Sequence, residues 1–175
     1  MTRWQMLLRY DWPLHVVLLL TNWLPDNVIF LRLRGLLASF FLGECGDDLR
    51  LGRNVTFYNP SKIRIGSHVY LAYGCLCLAG DQPISIGDEV IMGPYCVLAS
   101  NNHSSQAGSF RYGKPESAPI VIKSGSWLGA HVVVTAGSTI GQGVLVAAGA
   151  IVVSNLPDSV VAGGVPAKLI KDLCE

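Results

Sequence analysis

From Ile122 onward an aliphatic residue returns at every sixth position: Ile122, Leu128, Val134, Ile140, Val146 and Val152 keep strict step. Ser126, Val132, Ser138, Val144 and Ala150 stand four places after successive members. A period of six fits neither the 3.6 of a helix nor the two of a strand, and a short fixed period marks a solenoid. Each unit reads as one flat face. Its aliphatic side chain points to the axis, a small residue fills the narrowing space beside it, and a turn leads to the next face. Three units close one triangular coil. Gly129, Gly137, Gly141, Gly143 and Gly149 are placed at the turns, where a positive φ costs a residue without Cβ little.

The same phase runs backwards through Ile86, Met92 and Leu98, then Ile65, Leu71 and Cys77, with Leu51 and Phe57 as a weaker first turn. It slips twice. Ala79 to Pro83 inserts a turn, and His103 to Pro119 is a polar, Gly-containing excursion before the phase resumes at Ile122. Loops that leave a rigid solenoid are where chemistry is expected.

At 175 residues and 50% hydrophobic content the chain suffices for one domain with a continuous core. A net charge of +1 without a dense Lys/Arg cluster gives no footprint for nucleic acid. The five cysteines are an odd number. Cys75 and Cys96 fall at the small inward position and Cys77 at the aliphatic one, so they read as packing residues. With no zinc-type Cys/His spacing and no secretory leader pattern at the start, a reducing cytoplasm is expected and no metal.

Residues 1–44 differ in character. Leu14 to Leu20 and Val28 to Leu42 are strongly apolar, and three of the four tryptophans, Trp4, Trp12 and Trp23, lie here. Neither run reaches the roughly 20 apolar residues of a bilayer span: Pro13 and Pro25 bracket the first, and Arg32 and Arg34 interrupt the second. Asp26 is placed to cap a helix starting near Asn27. Two compatible roles compete for these helices, covering the open end of the solenoid or lying at a membrane interface. The expected organisation is an apolar helical segment over 1–44, a β-helix over 45–158 with a loop at 103–119, and a closing segment over 159–175.

The stretches "ISIGDEVIMGPYCVLASNNH", "APIVIKSGSWLGAHVVVTAGSTIGQGVLVAAGAIV" and "VVAGGVPAKLIK" resemble the hexapeptide-repeat acyltransferases, in the branch of maltose, galactoside and polysaccharide O-acetyltransferases. The resemblance implies an all-β solenoid, a left-handed parallel β-helix that trimerises, with acetyl-CoA and a saccharide acceptor meeting between subunits. It also implies a cytoplasmic enzyme that acetylates a sugar hydroxyl of a surface polysaccharide or its precursor. The left hand comes from the resemblance alone, since crossovers are otherwise right-handed.

Taking a proton from a sugar hydroxyl needs a general base, and a histidine with an ordinary pKa of about 6.5 suits it at neutral pH. His103 matches the family's catalytic histidine in "NNH". His68 and His131 stand at outward corner positions and His15 lies in the apolar N-terminal run, so these three read as structural. The resemblance places Gly129, Ala130 and Ala148 on the coil edge that receives the pantetheine arm, Trp127 beside the thioester, and Lys168 and Lys171 toward the nucleotide phosphates; corner geometry and a solvated basic end explain the same residues. Asn101 and Asn102 are candidates for stabilising the oxyanion, and Tyr73, Asp81, Tyr112 and Glu116 for holding the acceptor. Where relatives carry "TKD" after the last coil, this chain has Val153, Ser154 and Asn155, which removes a lysine from the cofactor side.

Three other readings stand beside the O-acetyltransferase. An amino-sugar N-acetyltransferase uses the same fold, donor and base, and a scaffold would keep the repeats without chemistry. A γ-type carbonic anhydrase needs three zinc-binding histidines, two of them close together on one strand face, a set this chain lacks.

Overall fold

In the computed structural model, which describes residues 2–173, the six-residue period becomes a three-sided prism. The first face stacks Glu44–Cys45, Ile63–Ile65, Ile84–Ile86, Ile120–Ile122 and Thr139–Ile140 in parallel. The second stacks Arg50–Leu51, Tyr70–Leu71, Ile91–Met92, Trp127–Leu128, Leu145–Val146 and Val160–Gly163; Lys168–Asp172 folds back antiparallel on its last strand. The third stacks Thr56–Tyr58, Leu76–Leu78, Val97–Ala99, Val133–Thr135 and Ile151–Val152. This is a left-handed parallel β-helix.

Register is set by the aliphatic step. Leu51, Leu71, Met92, Leu128 and Val146 pair in line, all but fully buried. Each such side chain contributes about 1.5–3 kcal/mol by leaving water. The small residue four places on completes the layer: Ser126, fully buried, donates its hydroxyl to the Gly141 carbonyl at 2.7 Å and accepts the Val144 amide at 3.1 Å. Cys75, Cys77 and Cys96 are buried free thiols, with burial and the neighbouring Cys96 pushing Cys77 up to about 12.

The corner glycines fall into two classes rather than one. Gly137, Gly143 and Gly149 adopt positive φ of 84°, 62° and 73°, but Gly129 and Gly141 do not. A Cβ at Gly129 would stand 2.6 Å from the Ala148 amide nitrogen, and one at Gly141 2.5 Å from that of Asp158. These two are required by the close passage of the next coil.

Three helices precede the prism: α1 (Arg3–Met6), α2 (Trp12–Thr21) and α3 (Val28–Ser39). Between α1 and α2 the chain widens into a π-turn at Leu7–Asp11, where the Trp12 amide reaches the Leu7 carbonyl. Pro13 explains the widening, because it offers no amide and its ring crowds the carbonyl four residues back. The inner sides of α2 and α3, with Leu14, Leu18 and Ala38, join the core and cover the first coil. Asn27, not Asp26, caps α3, its side chain accepting the Phe30 amide at 3.0 Å. Asp26 is drawn off by the Arg53 amide and by the fully buried Arg34, which also donates to the Leu51, Thr21 and Leu24 carbonyls. None of the described helices is long and apolar enough to cross a membrane.

Candidate active site

The excursion after the third face is a hairpin arm rather than an open loop. Asn101–His103 pairs antiparallel with Pro115–Ser117, setting Asn101 opposite Ser117, Asn102 opposite Glu116 and His103 opposite Pro115. Ser104 continues the ladder to the Lys114 carbonyl, and Gln106 and Ser109 exchange amide bonds of 3.0 Å across a turn at Ala107 and Gly108, both at positive φ. A rigid ribbon therefore carries His103, whose side chain is exposed.

The base of the arm is fastened to the turn that holds Asp81. Ser117 accepts the Asp81 amide at 3.1 Å, and Ser100 accepts the Gly80 amide at 2.8 Å while donating to the Gln82 carbonyl. A Cβ at Gly80 would stand 2.3 Å from the Ser117 hydroxyl, so glycine is what lets turn and arm meet. Asp81, Asn101, Asn102, His103 and Glu116 thus share one corner, between the third and first faces.

Beside this corner lies a groove of about 790 Å³ between the N-terminal helices and the first coils, lined by Arg3, Met6, Leu7, Asp11, Trp12, His15, Tyr58, Asn59 and Asp81. His15 meets the Asp11 carbonyl at 2.8 Å. Burial raises the Asp11 carboxyl above the ordinary carboxylate range, against the opposing pull of His15. His15, expected to be structural, lines this groove together with Asp11 and Tyr58, which the sequence does not single out. For Asp11 the usable signal is Pro13, since a proline inside a helical pattern favours the π-turn that ends at Asp11; Tyr58 stands on a third-face strand and has no such local signal.

The remaining expected residues gather elsewhere. Gly129 and Ala130 turn the corner between the second and third faces, Ala148 lies against Gly129 one coil on, and Trp127 stands on the adjoining second face, half exposed. Lys168 and Lys171 lie exposed on the strand that edges the same face. Tyr73 belongs to this corner and not to the arm: Asn54 donates to its hydroxyl, Arg53 lies over its ring, and it meets Tyr95 edge-on, which stacks on His131 at 5.1 Å. Tyr112 is exposed toward the outer part of the arm. One chain therefore presents a corner that carries His103 and a corner of small residues, held apart on one prism. Among the described residues no three His, Cys, Asp or Glu side chains cluster as metal ligands would.

No family model matches the chain. It is similar to galactoside O-acetyltransferase of Escherichia coli, 35% identical over 73% of the chain and 63% of that protein. It is also similar to a putative lipopolysaccharide-biosynthesis O-acetyltransferase of the same organism, 31% identical over 72% of the chain and 66% of that protein. The chain thus spans less than two thirds of the length of either. It covers 68% of a putative acetyltransferase of Dictyostelium discoideum at 32% identity, with 75% of the chain aligned. Among solved structures, a hexapeptide-repeat acetyltransferase of Vibrio cholerae complexed with acetyl-CoA superposes with a TM-score of 0.81 at 28% identity, over 93% of this chain and 86% of that one.

Proposed function

We propose that this chain, which belongs to the hexapeptide-repeat acetyltransferase family, moves an acetyl group from acetyl-CoA to a sugar hydroxyl of a surface polysaccharide or its precursor. The observation that carries the reading is His103, exposed on a braced arm beside a groove of mixed polar and apolar lining. The neutral imidazole of His103 takes the proton of the acceptor hydroxyl as its oxygen attacks the thioester carbonyl. Asn101 and Asn102 are the nearby amide side chains we assign to the developing oxyanion. When the intermediate collapses, the C–S bond breaks and the imidazolium returns its proton to the departing CoA sulfur. Asp81 and Glu116 hold acceptor hydroxyls, and Tyr73 contacts the acceptor from a neighbouring subunit.

The acetyl-CoA side is assigned to Trp127, Gly129, Ala130 and Ala148, where the lack of bulk lets an extended arm lie against the backbone, with Lys168 and Lys171 toward its phosphates. Because one chain separates this corner from His103, the working site is read as shared between subunits of a homotrimer. The outward rows support this. They are mostly apolar on the two faces flanking the small-residue corner, as with Ile91, Trp127 and Leu145 following Arg50 and Tyr70 on the second and Val97, Val133 and Ile151 on the third; the first face is more polar, with Glu44, Arg64, Ser85, Val121 and Thr139. Free buried cysteines agree with a reducing cytoplasm, where acetyl-CoA is available.

The similarity to the putative lipopolysaccharide-biosynthesis O-acetyltransferase of E. coli favours a glycan carried on a lipid. The test is thiol release from acetyl-CoA against mono-, oligo- and lipid-linked saccharides, with products weighed by mass spectrometry. Acceptor-dependent release of CoA with an added acetyl on the glycan is the expected result. Binding of acetyl-CoA absent altogether would overturn it in favour of a scaffold.

A further inference from the structure

Apart from Trp12 at the edge of the groove, acetyl transfer makes no use of the outward side of the N-terminal helices. Through α1, the π-turn and α2, the side chains of Trp4, Leu8, Trp12, Val16 and Leu19 recur every three or four residues, and Trp23 follows. Trp4, Leu19 and Trp23 are 68%, 73% and 77% exposed. On α3 and its C-terminal cap, Ile29, Leu33, Leu36 and Phe40 do the same. The opposite sides of both helices enter one core through Leu14, Leu18 and Ala38, so the two apolar stripes share an outer side and form one plate. A helix lying on a water-soluble prism normally turns charge outward there, and an apolar plate of this kind marks a contact surface.

Charge and residue type identify the contact. Residues 1–43 hold four arginines, two aspartates and no lysine or glutamate. Asp26 is turned inward to Arg34 and the Arg53 amide, and Asp11 lines the groove; Arg3, which lines the same groove, and Arg9 and Arg32 are exposed, Arg9 donating to the Phe40 carbonyl and Arg32 meeting Asp48, both at 2.9 Å. The rim is cationic and the plate carries three tryptophans, the combination suited to headgroup depth. A two-fold contact with a second copy would set these arginines against their own kind.

We propose that the plate docks on the surface of an anionic phospholipid bilayer, with Trp4, Trp12 and Trp23 among the headgroups and the rim arginines against lipid phosphates. The helices lie along the surface without crossing it, so the attachment is peripheral and salt-sensitive.

Flotation of the full chain with phosphatidylcholine vesicles, and with vesicles containing phosphatidylglycerol, tests this at low and high salt. A Leu19→Gln, Trp23→Gln, Ile29→Gln variant is run in parallel; all three side chains are exposed, so its circular dichroism and melting should match the parent. Binding is expected to require phosphatidylglycerol, to weaken in high salt, and to fall at least about tenfold in the variant. The proposal is overturned if the parent ignores both vesicles or if the variant floats as well as the parent. It is equally overturned if the variant's mass by light scattering drops to a smaller assembly, which would make the plate an interface between copies.

Discussion

His103 owes its position to the arm's backbone ladder and not to packing of its own ring, so its chemistry and the fold's stability separate cleanly. Replacing it by alanine is expected to lower kcat by about 10²–10⁴, the usual contribution of a positioned general base, without moving the melting temperature. Steady-state thiol release and thermal unfolding on the same samples check both halves; a fall in activity that tracks a fall in melting would sink the assignment. Gly129 is the reverse case. Gly149→Ala would strain only a left-handed corner with open space around it, at about 1 kcal/mol. In Gly129→Ala the new methyl meets the Ala148 backbone at 2.6 Å, so the coils must part. Gly129→Ala is expected to melt well below Gly149→Ala and to weaken acetyl-CoA binding as well, measured by calorimetry on the folded fraction.

Between elements, Asp48 ties α3 to the first coils. It accepts from Arg50 at 2.6 Å, meets Arg32 of α3 at 2.9 Å, and faces His68 at 3.5 Å. The Arg50 hydrogen bond, helped by that of His68 and by the charges of Arg50 and Arg32 and opposed by burial, holds its carboxyl at about 2 against an ordinary 3.8. A carboxyl lowered on folding stabilises the fold fully above its unfolded pKa and loses that stabilisation as pH falls through the folded value. Acid titration of stability is therefore expected to steepen from about pH 4 toward pH 2, and Asp48→Asn, which tolerates the same left-handed backbone, should flatten that limb. An unchanged acid limb in the variant would assign the slope to other carboxylates. The coils themselves could be read from sequence because each inward position is decided by its own six residues, as with Leu128 and Ser126. The arm and the groove could not. Asp11, Tyr58 and Asp81 are neighbours only after α2 has folded back on the first coil, and the arm is a hairpin because of pairings such as Ser104 with Lys114. Gly129 read as a corner because sequence shows that a residue is small, not which strand passes it.

At the scale of the whole molecule, the separation of the two corners makes the proposed trimer a matter of chemistry as well as of assembly. If His103 of one subunit serves the small-residue corner of the next, a chain lacking the base and a chain with a blocked corner complement each other. Ala148→Tyr is a suitable block, since Ala148 is exposed and the added ring would fill the corner without entering the core. In a closed ring each shared site draws one element from each of two adjacent chains. Unfolding and refolding His103→Ala with Ala148→Tyr in equal amounts then gives a quarter of sites with both elements intact, so activity is expected to return to about a quarter of the parent's from two inactive preparations. The variants mixed without subunit exchange should stay silent. A site contained within one chain predicts no recovery at any ratio, because every chain would then carry one defect. The ratio dependence adds a second check, since recovery at a shared site peaks at equal amounts and falls off symmetrically on either side.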